Sequence, residues 1–145
     1  MLADHSRNRS IENVGSIGIS YTSAWVTIAA LDLERSQQFY QALFACEPSR
    51  VLADRYVEFQ LSDLRVGIYR PTKNSPHPSE MPAIAISSEA SMSLCFQVQD
   101  LDATIAQLGG LEIPHDVMAI ASHGREVYAY DPDGNRLIFY QPNSA

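Results

Sequence analysis

The chain has 145 residues, 46% hydrophobic and 19% charged, with a formal net charge of −7. That length supports one domain with a real core or two small modules sharing one, and the composition excludes a disordered protein. The acidic balance disfavours a nucleic-acid ligand, which needs a basic surface, and no apolar run reaches the length of a membrane span.

Residues 1–22 are polar, without sustained periodicity, and are expected to form a flexible tail with a short strand at 16–21. Met1 to Arg9 hold no hydrophobic signal core, so the expected location is cytoplasmic. Trp25 to Ala30 alternates as a strand, with Val26, Ile28 and Ala30 on one face and Trp25, Thr27 and Ala29 on the other. Asp32 is placed to cap a helix, and Glu34 lies in its first turn, where the helix dipole favours a carboxylate. Leu33, Ser36, Tyr40 and Leu43 follow at helical spacing, widened by Phe39 and Phe44, and Pro48 marks the end. Arg55–Leu61 and Leu64–Arg70 read as strands joined at Ser62-Asp63. With a further short strand, this gives strand, helix and three strands.

Residues 72–91 are rich in proline and serine and read as a linker, with a brief strand at 83–86. The pattern then restarts. Leu94, Phe96 and Val98 share one face of a strand, Asp100 caps a helix with Leu101, Ile105 and Leu108 inward, and Gly109-Gly110 is expected to end it. Val127–Tyr130 and Arg136–Tyr140 flank Asp131-Pro132-Asp133-Gly134-Asn135, a turn in which Pro132 fixes φ and Gly134 and Asn135 tolerate positive φ. Arg65, Tyr69 and Pro71 recur as Arg136, Tyr140 and Pro142, 71 positions later, and Asp100 follows Asp32 by 68. Two matches in the same order at nearly one offset indicate a duplication.

The fold class is therefore α+β, built from two βαβββ modules, residues 23–71 and 92–142. Helices cover one face of each sheet. Val26, Ile28, Val66, Ile68, Leu94, Phe96, Leu137 and Phe139 face them. The opposite faces carry Trp25, Thr27, Phe59, Gly67 and Tyr69 in the first module. In the second they carry Ser93, Cys95, Glu126, Tyr128, Tyr130, Arg136, Ile138 and Tyr140. Aromatic groups mixed with a few polar ones suit a curved sheet cupping a ligand, or the core of a sheet-on-sheet packing. The two cysteines, Cys46 and Cys95, lack the spacing of a zinc site or a disulfide framework, and Cys95 reads as a buried small hydrophobe.

Three stretches carry a resemblance: Asp32-Leu33-Glu34-Arg35-Ser36 with Phe39-Tyr40, then Asp100-Leu101-Asp102, then Asp131-Pro132-Asp133-Gly134-Asn135. With the paired layout over about residues 24–142, the chain resembles the vicinal oxygen chelate superfamily. That group includes glyoxalase I, extradiol dioxygenases, fosfomycin-resistance enzymes and bleomycin-resistance proteins. The resemblance implies a paired glyoxalase-like fold with helices outside a cup. It also implies pairing of modules within one chain or across a homodimer. Metal-dependent members hold a divalent ion with His, Gln or Glu at the first and last strands of each module. Here those positions are Trp25, Gly67, Ser93 and Ile138, of which only Ser93 carries an oxygen or nitrogen suited to a metal, and weakly. Chelation of a vicinal dioxygen substrate needs the ion as a Lewis acid.

The reading is thus a cup that binds a small molecule without a metal cofactor, as in the sequestering branch. Trp25, Thr27, Phe59, Tyr69, Ser93, Cys95, Glu126, Tyr128, Tyr130, Arg136, Ile138 and Tyr140 form its lining. The alternative is a lyase or dioxygenase with displaced ligands, drawing on His77, His115 or His123, with His123 and Arg125 near a cup rim. A third possibility is a partner-binding module with a plugged cup. Neither nucleic acid nor membrane is expected as a partner.

Overall fold

The computed structural model describes residues 18–72 and 92–144; the expected strands at 83–86 and the start of that at 16–21, with His5 and His77, lie outside them. Residues 18–21 are described and are not in a strand. The first module runs β1 (Val26–Ala29), α1 (Leu33–Phe44), β2 (Arg50–Leu52), β3 (Tyr56–Gln60) and β4 (Arg65–Tyr69). The second repeats it as β5 (Leu94–Gln97), α2 (Leu101–Gly110), β6 (Ala119–Ala121), β7 (Gly124–Tyr130) and β8 (Arg136–Pro142). Each module forms a four-stranded mixed sheet, ordered β1-β4-β3-β2 and β5-β8-β7-β6. In both, the first strand runs parallel to the last and the other neighbours are antiparallel. The sheets are not closed into a barrel.

The helices start where a carboxylate can take a free N–H. Asp32 Oδ1 accepts from Arg35 N at 3.1 Å and Asp100 Oδ1 from Ala103 N at 3.1 Å. Each such cap stabilises its helix by about 1 kcal/mol. The first helix ends at Ala45, which adopts the left-handed conformation with φ 52°. The second ends at the double glycine as expected, but not through a glycine in the left-handed cap position. It runs through Gly109 and Gly110, and Glu112 takes the left-handed position with φ 57°. Ile113 N donates to Leu108 O at 2.9 Å and Glu112 N to Gly109 O at 3.1 Å, which closes a Schellman motif. Ile113 and Leu108 are both buried, so core packing sets the stop and glycine does not.

The residues expected to face the helices do so. Val66, Ile68, Leu94, Leu137 and Phe139 are buried in one core, and Val26, Ile28 and Phe96 pack against it. Each large apolar side chain fully removed from water contributes on the order of 1.5–3 kcal/mol. The core is shared between the modules, with the Phe44 ring 6.0 Å from Phe96 and Phe96 stacked on Phe139 at 5.3 Å.

The Asp131–Asn135 turn makes the polar joint between modules. Asp131 Oδ1 accepts from Asp133 N and Asn135 N at 2.9 and 2.8 Å, and Oδ2 accepts from Asn135 Nδ2 at 2.8 Å. The same Oδ2 accepts from the Tyr40 hydroxyl of α1 at 2.6 Å. Asp133 reaches the start of α1, accepting from Leu31 N at 3.2 Å and Ser36 Oγ at 3.4 Å. Gly134 has φ 82°, which glycine adopts without a side-chain clash. Burial first, then the Asp131 charge, pushes the Tyr40 hydroxyl far above its usual range.

Candidate functional site in the crevice between the sheet edges

Strand alternation decides which side chains leave the core. In the second sheet, Arg136, Ile138 and Tyr140 alternate with core residues Leu137 and Phe139. Their register partners Tyr130, Tyr128 and Glu126, with Cys95 opposite Ile138, lie on the same face. In the first sheet, Thr27 pairs with Gly67, and Gly67 with Glu58. Tyr69 pairs with Tyr56.

Three expectations are corrected here. Phe59 is not on the open face: it pairs with Val66, is fully buried and packs edge-on against Phe44 at 5.6 Å. The alternation Tyr56-Val57-Glu58-Phe59-Gln60 puts Val57 and Phe59 inward, so Tyr56 and Glu58 face outward in its place. Cys95 is exposed, because it alternates with the core residues Leu94 and Phe96. Arg125 also leaves the rim for the helix side, reaching Asp102 at 3.5 Å and Gln141 Oε1 at 2.9 Å. The His123 ring packs on Tyr140, with centroids 5.3 Å apart, and His115 Nδ1 lies 2.9 Å from Ile113 O.

The open faces carry matched clusters. On the first, the Arg65 guanidinium lies 4.1 Å from the Trp25 ring centroid, and Arg65 Nη2 donates to Ser23 Oγ at 2.8 Å. Arg65 Nε is 4.0 Å from Glu58 Oε1, which accepts from the Tyr56 hydroxyl at 2.7 Å. On the second, the Arg136 guanidinium lies 4.8 Å from the Tyr128 centroid, and Arg136 Nε donates to Ser93 Oγ at 2.9 Å. Glu126 Oε1 accepts from the Tyr128 hydroxyl at 3.1 Å. Each face thus presents an arginine over an aromatic ring, a supporting serine and a tyrosine–glutamate pair.

These contacts tune the tyrosines. Burial, then the Glu58 hydrogen bond and charge, raises the Tyr56 hydroxyl against the opposing pull of Trp25 and Arg65. The hydrogen bond to Glu126 and its charge raise Tyr128, and the hydrogen bond to Asp116 raises Tyr130. All three are biased towards the neutral, proton-donating form.

Between the edge strands β1 and β5 lies a crevice of about 230 Å³. Of the expected lining, Thr27, Tyr69, Ser93 and Arg136 meet there, joined by Met92 and Asn135 and by the flanks of Val26, Ile28 and Leu94. Trp25 stands just before β1 and is 47% exposed. Cys95, Glu126, Tyr128, Tyr130, Ile138 and Tyr140 share the open face of the second sheet but do not line the crevice. Met92 and Asn135 carry no sequence signal for a site. Glu58 and Tyr56 do: polar residues alternate with Val57 and Phe59 on that strand.

The donor set does not fit a divalent ion. The four positions hold an indole, a bare Cα, a hydroxyl and a sec-butyl group. Gly67 is also covered: a Cβ there would stand 2.3 Å from the Tyr56 hydroxyl oxygen, so a coordinating side chain would have to displace that ring. Among the described residues, no group of three or more His, Cys, Asp or Glu is placed to hold a metal, and no helix is long and apolar enough to cross a membrane.

No family model matches the chain, and no curated protein matches it in sequence. Solved structures do match in fold. A glyoxalase/bleomycin resistance protein/dioxygenase from Nocardioides is 15% identical, with a TM-score of 0.70 over 95% of each chain. Lactoylglutathione lyase from Agrobacterium tumefaciens is 21% identical, with a TM-score of 0.64 over 85% of this chain and 96% of that one. A variant of the fosfomycin resistance protein FosX from Listeria monocytogenes, solved with Mn(II) and 1S,2S-dihydroxypropylphosphonic acid, is 17% identical, with a TM-score of 0.64 over 84% and 90%. The class defined is an α+β protein of paired βαβββ modules. Within that class, the chain has the glyoxalase-like fold that these solved structures share.

Proposed function

We propose that this protein binds a small organic molecule without a metal ion and acts by sequestering it. One observation carries the reading. The strand positions that hold an ion in metal-dependent proteins of this fold offer nothing stronger than the Ser93 hydroxyl, and arginine–aromatic pairs occupy the open faces beside them. An aromatic platform with an arginine and a carboxylate orients a guest, whereas Lewis-acid catalysis needs ligands that these four positions do not supply. A homodimer that brings two open faces together belongs to the same reading.

Trp25, the chain's only tryptophan, is the reporter. Its emission is expected to change on titration with a panel of planar organic compounds, while elemental analysis of protein purified without chelators finds no stoichiometric divalent ion. A bound ion lost together with an enzymatic activity would overturn the reading in favour of a lyase or dioxygenase. A silent Trp25 across the whole panel would remove the basis for ligand binding.

A further inference from the structure

We infer that the crevice between β1 and β5 takes a compact organic anion, a carboxylate on an apolar body, held by Arg136. The inference rests on the ligand-binding reading above and adds the charge and size of the guest.

Three arginines are half-buried in the described structure: Arg65, Arg125 and Arg136. Arg65 has Glu58 at 4.0 Å and Arg125 has Asp102 at 3.5 Å. Arg136 has no carboxylate within ion-pair distance among the described residues. Its Nε is tied to Ser93 and its guanidinium lies against Tyr128, but Nη1 and Nη2 have no protein acceptor there. A guanidinium partly withdrawn from water and fixed in place, with its terminal N–H pair unclaimed, matches the planar geometry of a carboxylate.

The surroundings favour the same charge. Among the described residues, no aspartate or glutamate lines the crevice, although the chain carries a net charge of −7. Of the carboxylates that meet the tyrosines of β7, Glu126 is engaged by the Tyr128 hydroxyl and Asp116 by the Tyr130 hydroxyl. Ser93 Oγ accepts from Arg136 Nε, which leaves its own O–H to donate to a bound anion. Val26, Ile28, Met92 and Leu94 supply an apolar wall. At ~30 Å³ per water-sized group, the crevice holds roughly eight such groups, which suits a compact guest.

The test is calorimetric titration of the full chain with phenylacetate, benzyl alcohol and benzylamine, which share a ring and differ in charge. Phenylacetate is expected to bind tightest and benzylamine weakest. Arg136→Gln is expected to weaken phenylacetate roughly ten- to hundredfold. Arg136→Lys, which keeps the charge and loses the fork, should fall between, and Arg50→Gln, an exposed change of equal charge, should bind as wild type. Unchanged unfolding midpoints in the two Arg136 variants would show that they fold. Benzyl alcohol or benzylamine binding as tightly as phenylacetate, or unaltered affinity in Arg136→Gln, overturns the anion while the binding function stands. A chain that binds none of the three also overturns it, and a silent Trp25 across the wider panel then removes the binding function as well.

Discussion

Replacing Tyr40 with phenylalanine takes one hydroxyl out of the joint between the modules and leaves the ring's contacts in place. The ring keeps its edge-on contact with Phe39 at 5.0 Å and its tilted contact with Phe44 at 5.5 Å. What is lost is a 2.6 Å hydrogen bond to Asp131, whose side chain belongs to a residue only 6% exposed. A hydrogen bond to a charged group contributes about 1.5–3 kcal/mol. Asp131 retains three other donor contacts, so the carboxylate is not stranded and the lower part of that range applies. The expected cost is about 1.5–2 kcal/mol, or a fall in Tm of roughly 5–7 °C for a domain of this size. Urea unfolding followed by circular dichroism, compared with wild type at pH 7, measures it. The pH dependence has a definite sign. The folded state keeps the Tyr40 proton that the unfolded chain releases near pH 10. The stabilisation is therefore fully present below pH 10 and is lost as pH rises above it, at up to about 1.4 kcal/mol per pH unit. The wild-type advantage over Tyr40→Phe should shrink between pH 10 and 11. A difference under about 0.5 kcal/mol at pH 7, or one unchanged at pH 11, would refute the reasoning.

Three further substitutions follow from the same geometry. Asp131→Ala leaves the buried Tyr40 hydroxyl and two turn N–H groups without their acceptor, so it should cost ~3–5 kcal/mol in urea unfolding. A double-mutant cycle with Tyr40→Phe should show coupling of roughly 1–2 kcal/mol, and additivity would mean that the two do not act together. Gly67→Ala puts a Cβ 2.3 Å from the Tyr56 hydroxyl oxygen, so the ring must swing away from Glu58. The expected loss is about 1 kcal/mol with a changed Trp25 emission spectrum, and an unchanged spectrum would count against the packing described. Gly134→Ala meets no neighbouring atom within 4 Å but must hold φ 82°, so it should cost ~1–2 kcal/mol from the backbone alone and leave Trp25 emission untouched.

Much of this architecture can be read from periodicity. Asp32 and Asp100 mark both helix starts, and the alternation of Leu137 and Phe139 with Arg136, Ile138 and Tyr140 assigns the faces of β8 correctly. The misreadings share a cause: local signals overruled by tertiary packing. Gly109-Gly110 marks the end of the helix, yet the left-handed cap position falls to Glu112, beside the buried Ile113, and not to a glycine. Residue type suggests an open-face Phe59 and a buried Cys95, whereas strand alternation buries Phe59 and exposes Cys95. The crevice needs Arg136 and Val26 brought together across 110 residues, a proximity created only when two open sheets meet. No spacing rule within one strand contains that information.

The clasp made by Tyr40 and Asp131 also bears on descent from a repeated half. Counting from the helix caps, Leu108 occupies in the second helix the place that Tyr40 holds in the first. The first repeat closes its last hairpin with Ser62-Asp63, where the second uses the five-residue Asp131–Asn135 loop. The fastening is therefore one-directional. Two copies of the leading half would confront each other with phenols lacking an acceptor, and two copies of the trailing half would set carboxylates against leucines. A symmetric pairing of either half would therefore lack the fastening that joins the two unlike modules here.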